Sequence, residues 1–579
     1  MASHSTIIRN GLIFDGTGSP PYEADIAIDG GIISEIGQVE GIGLNEIDAK
    51  GQIVAPGFVD IHTHYDGQAA WGDRLDPSSL HGVTTAVMGN CGVGFAPVHE
   101  SDHDRLIQLM EGVEDIPFPV LAEGLPWQWE SFADYLDFLT PRRFDIDLAA
   151  QVPHAALRVY VMGDRGVNRE EATDDDISKM AKLAHDAVMA GALGFSTSRT
   201  LNHRSADGNP TPTLTASERE LLGIAMGLRK AGRGTLQFVS DFDDMHEEMA
   251  MLRRLVEKSG RPLSVSIAQA DSKPTLWRHL TDWLEQGVAD GLPMRGQVGS
   301  RPVGVLLGLE LTLNPLSGHP SFAKIADLPL NKKVAALRNP NLRAQLLTEE
   351  AGSKNPFVRA LLANFGRIFV LGDPPDYEPT EDKTVAAIAK NRGVSEVEVA
   401  LDLMLENNGR GVLYFPFLNF ADGNLDSTRT MLESNATLPG LSDGGAHVGM
   451  ICDGSFPTTL LTHWGRDRTR GDKLPLELLI KKQSCDTAHW VGLHDRGVLM
   501  PGYRADINVI DFDKLRLHLP EINYDLPAGG RRLMQRATGY TATLVAGEVT
   551  YLDGTPTDAK PGKLVRGAQT KPKQKLAAE

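Results

Sequence analysis

Two histidines at i and i+2 give the sharpest chemical signal in this sequence. They close the run Ala55-Pro56-Gly57-Phe58-Val59-Asp60-Ile61-His62-Thr63-His64. Side chains two apart on a strand leave it on the same side, so both imidazoles can reach one metal ion at about 2.0–2.1 Å. Two exposed loop histidines would be the bland alternative, but the Pro-Gly entry, Asp60 and Thr63 around the pair favour the metal. A second polar concentration is Gly194-Phe195-Ser196-Thr197-Ser198-Arg199-Thr200-Leu201-Asn202-His203-Arg204. Arg199 could clamp a substrate carboxylate with two parallel hydrogen bonds, and His203 could polarise a carbonyl. Against both stands a solvated basic loop, with Arg199 paired to an acidic neighbour such as Asp207 or Asp241.

Strand–loop–helix repeats must position these groups. Phe58–His62, Thr84–Met88, Ala192–Ser196, Thr235–Val239, Pro262–Ile267, Arg301–Leu306 and Leu438–Leu441 read as strands. Thr173–Met189 reads as an amphipathic helix, with Thr173 or Asp174 as N-cap. Strands alternating with helices predict a parallel sheet. Eight such units over roughly 430 residues suit an α/β fold, a distorted (β/α)8 TIM-like barrel with insertions. A helix-rich, Pro-punctuated stretch near 314–419 reads as an insertion at the C-terminal face, a candidate lid. Both chain ends are β-rich, with Gly30-Gly31 as a hairpin signal. Neither end has much core alone, so the two pair into one small β-sandwich domain. The expected boundaries are 1–56 and 496–567 for that domain, 57–495 for the barrel, and 568–579 for a flexible tail.

Composition narrows the function. The chain has 579 residues, 41% of them apolar, and a net charge of −19. So acidic a balance argues against nucleic acid or an anionic membrane as the main partner. A small-molecule substrate is the expected partner, and a homo-oligomer stays open. No stretch near 18 apolar residues occurs. Cys91, Cys452 and Cys485 are too few and too scattered for a disulfide scaffold, and a reducing, cytoplasmic home is the simpler one. The N-terminus shows no signal-peptide pattern.

PGFVDIHTH after a β-rich start, and Ser442-Asp443-Gly444 late in the chain, resemble the amidohydrolase superfamily of metal-dependent hydrolases. Met88-Gly89-Asn90-Cys91-Gly92-Val93-Gly94-Phe95-Ala96-Pro97 is similar to the N-acyl-D-amino-acid deacylase (D-aminoacylase) family within it. The run Gly497–Asp506 resembles the superfamily's return to its β domain. The resemblance implies that His62, His64, Cys91 and Asp443 hold Zn2+, with Cys91 as a thiolate. It implies that Asp443 takes a proton from the attacking water and passes it to the leaving nitrogen. The alternative for Cys91 is a small residue in a Gly-rich turn, and for Asp443 a plain turn.

The chain departs from the family pattern at the fifth and sixth strands, which there supply histidines. Here they carry Gln237, Asp241 and Gln269 as their polar candidates. One zinc per chain rather than two is therefore expected. His203 is a candidate replacement ligand, and His447, four residues past Asp443, is a further candidate for the substrate site. The expected activity is hydrolysis of a carbon–nitrogen bond in an N-acyl amino acid, of D configuration in the family. The alternatives are hydrolysis of a cyclic amide, lactam or lactone, a deaminase, and a non-catalytic member with a degraded metal site. The bland reading prevails for His81, His99, His103, His185 and His246, and for Cys452 and Cys485.

Overall fold

Eight parallel strands form the frame: Phe58–Asp60, Val83–Met88, Asp147–Pro153, Gly194–Arg199, Thr235–Ser240, Leu263–Ser266, Met294–Val298 and Thr437–Pro439. The computed structural model describes residues 3–353, 356–362 and 364–573. The strands pair in chain order from first to eighth. Parallel strands covered on both faces must be apolar or internally bonded throughout, and every residue of Val83–Met88 and Asp147–Pro153 is buried. The ring closes at its C-terminal end. There Asp443 N donates to His62 O (3.1 Å) and His64 N to Gly444 O (2.8 Å).

Helices between the strands carry their own start signals. Asp174–Ala190 is capped by Thr173, whose side chain accepts from Asp176 N while Asp176 reaches back to the cap. That reciprocal pair satisfies two orphan donors. The helix buries Ile177, Met180, Ala184, Ala187 and Val188, five of the residues expected on its apolar face.

Three strand assignments need correction. Arg301–Leu306 is not a barrel strand: Gly304–Leu307 pairs antiparallel with Leu413–Pro416 in a small separate sheet. The seventh barrel strand is Met294–Val298 instead. Its sequence, MRGQV, lacks a continuous apolar run because Gln297 faces the polar interior. The third, Asp147–Pro153, was not read from the sequence either; DLAAQVP has little β-branched character.

The insertion is wider than 314–419. It runs between the seventh and eighth strands and includes Gly304–Leu307, Phe369–Val370 and Leu413–Pro416 with several helices. It has its own core, with Leu307, Leu316, Leu337, Ile368, Val399 and Leu413 all buried. Asn419 docks its end on the barrel: Gln269 N donates to Asn419 Oδ1 (2.8 Å) and Asn419 N to Gln269 O (2.7 Å).

Both termini build one nine-stranded sheet. The β-rich N-terminus opens on one long strand, His4–Ile13, with its register broken between Ile8 and Gly11. On one edge residues 6–8 and 11–13 pair antiparallel with Tyr22–Asp29. On the other, residues 4–9 pair with Gly43–Asp48 and residues 12–13 with Ile53–Pro56. Asn10 sits at φ 58° at that break, a bulge that bends the strand. Gly30 and Gly31, at φ 57° and 78°, make the hairpin turn. Ile507–Ile510 joins the C-terminal strands to Ile53–Pro56.

A buried charge cluster ties this domain to the barrel floor. Asp147, at the start of the third strand, meets Arg496 Nη1 at 2.7 Å and Arg504 Nη2 at 3.1 Å, and Arg504 Nε meets Asp506 at 2.9 Å. The expected tail begins ordered: Gln569 N donates to Gly492 O (2.9 Å), and His494 N to Gln569 O (3.1 Å). Residues 574–579 of that tail lie outside the described residues.

Candidate active site

Three buried ligand atoms converge at the C-terminal mouth of the barrel. Those of His62, His64 and Cys91 lie within 4.8 Å of one another. His62 Nε2 is 3.2 Å from Cys91 Sγ. Asp443 Oδ1 stands 3.4 Å from His62 Nε2 and 3.5 Å from His64 Nε2.

Local structure explains the convergence. His62 and His64 follow the first strand with i, i+2 spacing. Cys91 follows the second in a tight turn at φ 53°. Gly92 comes next at φ 70°, and a Cβ there would meet Thr197 Cα at 2.9 Å. The turn is tied down from two strands and the helix His154–Met162. Gln237 Oε1 accepts from Cys91 N (3.2 Å), Ser196 Oγ accepts from Gly92 N (3.0 Å), and Ala155 N donates to Gly92 O (2.8 Å). Asp443 sits at φ 48° on the turn after the eighth strand. Ser442 Oγ, which donates to Asp60, also reaches His62 O at 3.2 Å.

The donor set fits a metal ion such as zinc. His64 Nε2 and Asp443 Oδ1 are buried without a hydrogen-bond partner, an expensive arrangement unless a cation takes them. Burial pushes the Cys91 thiol up to about 12, against the opposing influence of His64. A coordinating cation reverses that logic and deprotonates a thiol outright. Burial drives His62 down to about 4 despite Asp443, leaving a neutral imidazole, the ligating form. Burial would also lower His64, but Glu114, Asp443 and Cys91 around it hold it well above its ordinary value. Asp443 goes the other way: burial would raise it, and His64, His62 and His447 together take it far below the carboxylate range. Its side chain keeps 18% exposure. It borders a cavity of about 20 Å³ with Gly445, Ala446 and Asp453, room for about one water.

The expected fifth- and sixth-strand candidates have other work. Gln237 holds Cys91 N and approaches Ser266 Oγ at 3.4 Å. Gln269 is bonded to Asp422, Ala421 N and Ser427. Asp241 accepts from Leu201 N (2.7 Å) and Thr200 Oγ1 (2.5 Å). His203 Nδ1 lies 2.8 Å from Ser198 Oγ. Burial and the nearby His447 and His64 lower it to about 3, so it enters the site as a neutral ring. His447 keeps Nδ1 buried and unpartnered.

Glu114 was missed at the sequence level. It ends the helix His103–Glu114, 2% exposed, with Oε1 3.4 Å from His64 Nδ1 and Oε2 3.4 Å from His447 Nε2. Nothing in its spacing to His62 and His64 marks it; only the fold brings it there. Of the other residues given a bland reading, His81 is buried between Thr458 Oγ1 and Gln535 O, both at 2.9 Å, and Cys485 is half-buried beside His489.

The amidohydrolase family model matches residues 45–551. The chain belongs to the amidohydrolase family. This amidohydrolase is 27% identical to D-aminoacylase of Alcaligenes xylosoxydans xylosoxydans, over 87% of each chain. It is 26% identical to N-acyl-D-glutamate deacylase of the same organism, over 97% of this chain and 96% of that one. A crystal structure of D-aminoacylase superposes with a TM-score of 0.63 at 23% identity, covering 97% of this chain and 100% of that one. The amidohydrolase is thus a D-aminoacylase-like, metal-dependent hydrolase of non-peptide carbon–nitrogen bonds. Among the described residues no helix is long and apolar enough to cross a membrane.

Arg199 lies at the mouth of this amidohydrolase, but it is not free. Its Nη1 meets Glu248 Oε1 at 2.7 Å and Met251 Sδ at 3.3 Å. The expected acidic neighbours, Asp207 and Asp241, serve loop backbone instead. We therefore expect Arg199→Lys to lower the melting temperature and to slow carboxylated and uncharged amides alike. A rise in KM confined to carboxylated substrates, with unchanged melting, would give the guanidinium to the substrate.

Proposed function

We propose that this amidohydrolase deacylates N-acyl amino acids, those of D configuration included, with Asp443 as general base. The observation that carries the reading is Asp443 itself. Its carboxylate lies beside both histidines, which hold it ionised against its own burial, and Asp443 also borders a small cavity. The relatives named D-aminoacylase and N-acyl-D-glutamate deacylase support the substrate class.

His62, His64, Cys91 and Asp443 would hold the ion, and the ion we infer is zinc, one per chain. Bound there, zinc would supply Lewis acidity to the carbonyl and acidify water. Asp443 accepts the proton of the attacking water and returns it to the leaving nitrogen, so that an amine departs rather than an amide anion. Asp60, through Ser442, fixes the turn on which Asp443 rides. His203 and His447 line the same mouth as the substrate-facing groups of this reading, His447 through its unpartnered Nδ1. A free cysteine ligand suits a reducing cytoplasm.

A panel of N-acetyl D- and L-amino acids set against cyclic amides and lactones tests the proposal. Turnover of at least one N-acyl-D-amino acid, and loss of that turnover on chelation, is the expected result. Turnover of cyclic substrates alone would overturn the substrate assignment.

A further inference from the structure

Both histidines at the mouth of the barrel have an outward nitrogen as well as an inward one, and the two outward nitrogens face different groups. His62 Nδ1 meets Gln297 Oε1 at 2.6 Å, and Gln297 is held in turn by Ser264 Oγ at 2.9 Å. His64 Nδ1 faces Glu114 Oε1 at 3.4 Å. That separation is long for a hydrogen bond. Yet neither His64 Nδ1 nor Glu114 Oε1 has any other partner among the described residues. Both side chains are almost wholly buried.

Glu114 is also locked in place. Its carbonyl accepts the His447 backbone N–H, and its Oε2 lies 3.4 Å from His447 Nε2. The next residue, Asp115, accepts Gly449 N at 3.1 Å and contacts Thr312 Oγ1 at 3.4 Å. The end of the helix His103–Glu114 is therefore fastened to the loop that carries His447 by main-chain and side-chain contacts on both residues. A carboxylate so immobilised, with one oxygen on each of two imidazoles, can set the orientation of both rings.

We propose that Glu114 is a positioning residue. Its Oε1 accepts from the Nδ1–H of His64, so that the Nε2 lone pair points at the position shared with Cys91 and Asp443, and its other oxygen holds His447 in register with that site. The inference rests on the metal reading of His62, His64, Cys91 and Asp443. The physical reason is general. A ligating histidine needs its second N–H fixed by an acceptor, which selects the tautomer and the ring angle. Losing that acceptor typically costs about 10–100-fold in metal affinity. The two histidines of this site use unlike acceptors, an amide and a carboxylate, so the two should respond differently to the same substitution.

The test is zinc affinity, measured by competition with a chelator, on the full chain and on Glu114→Gln and Glu114→Leu. Melting of the metal-stripped proteins is recorded in parallel. Glu114→Gln keeps an acceptor but loses its charge, and about 10-fold weaker binding is expected; Glu114→Leu removes the acceptor, and a loss nearer 100-fold is expected. Glu114→Asp should recover part of the loss. If Glu114→Leu does not fold, Glu114→Gln decides. Zinc affinity unchanged in Glu114→Gln, while the parent chain binds zinc, overturns the role of Glu114 and leaves the metal reading standing. A parent chain that binds no zinc overturns both.

Discussion

Asp443→Asn is expected to keep the fold and the melting temperature and to lower kcat by about 10²–10⁴-fold, the usual range for losing a general acid–base group. The reasoning is local. Asp443 has its backbone fixed by the bond from its N–H to His62 O. It sits at φ 48°, a backbone position that Asn tolerates better than most residues. The substitution therefore adds little backbone strain. What it removes is a site for the proton. The carboxylate is held ionised by His64, His62 and His447 against the effect of its own burial, and an amide oxygen in the same place cannot accept a water proton to any useful extent. Because Asp443 is also an inferred ligand, zinc content must be measured on the same sample. Full zinc with turnover lost isolates the proton role. Turnover near that of the parent would remove Asp443 from the mechanism.

Much of this site was legible in the sequence because it depends on short spacings. His62 and His64 are two apart on a strand end, and a period-2 argument places both imidazoles on one side without knowledge of the fold. Cys91 and Asp443 were found through the resemblance of their turns, whose backbone lies at positive φ in both cases. The barrel was legible because strands such as Val83–Met88 are apolar and β-branched runs bounded by Gly. The strands that escaped, Asp147–Pro153 and Met294–Val298, each carry polar residues that the interior uses. Asp147 takes two arginines at the barrel floor, and Gln297 takes His62 at the mouth. At these two strands, polar residues that serve the site or the domain junction interrupt the apolar pattern.

Contacts between residues far apart in sequence were not legible. Glu114 and His447 are more than three hundred residues apart, and no local pattern connects them. Arg199 illustrates the opposite failure. It reads from sequence as part of the loop after Ala192–Ser196, whereas it ends the strand Gly194–Arg199, and an arginine in an acidic chain gives no hint that Glu248, on the helix Met245–Ser259, will pair with it. Sequence reasoning identifies what a side chain can do, and the fold decides which of its possible partners is within reach.

Cys91→Ser is expected to abolish tight zinc binding, and activity with it, while leaving the barrel folded. Elemental analysis of the parent should give one zinc per chain, and dialysed Cys91→Ser should give none. The size of the effect follows from comparison with outer groups. Removing a residue that merely orients a ligand already costs about 10–100-fold in affinity, so loss of an anionic ligand should exceed about 100-fold. Serine is nearly the same shape, and the contacts that hold the turn run through Cys91 N, Gly92 N and Gly92 O rather than through sulfur. The substitution therefore tests ligation with little change in packing. The charge is what differs. A buried thiol becomes a thiolate when a cation takes it, whereas a serine hydroxyl stays neutral and binds zinc weakly. Two zinc ions per chain in the parent would show that His203 or another group supplies a second site. Full zinc retained in Cys91→Ser would reduce Cys91 to a small residue in a tight turn. A parent with no zinc at all, inactive on every amide tested, would favour a member of the family that has lost its chemistry and kept its fold.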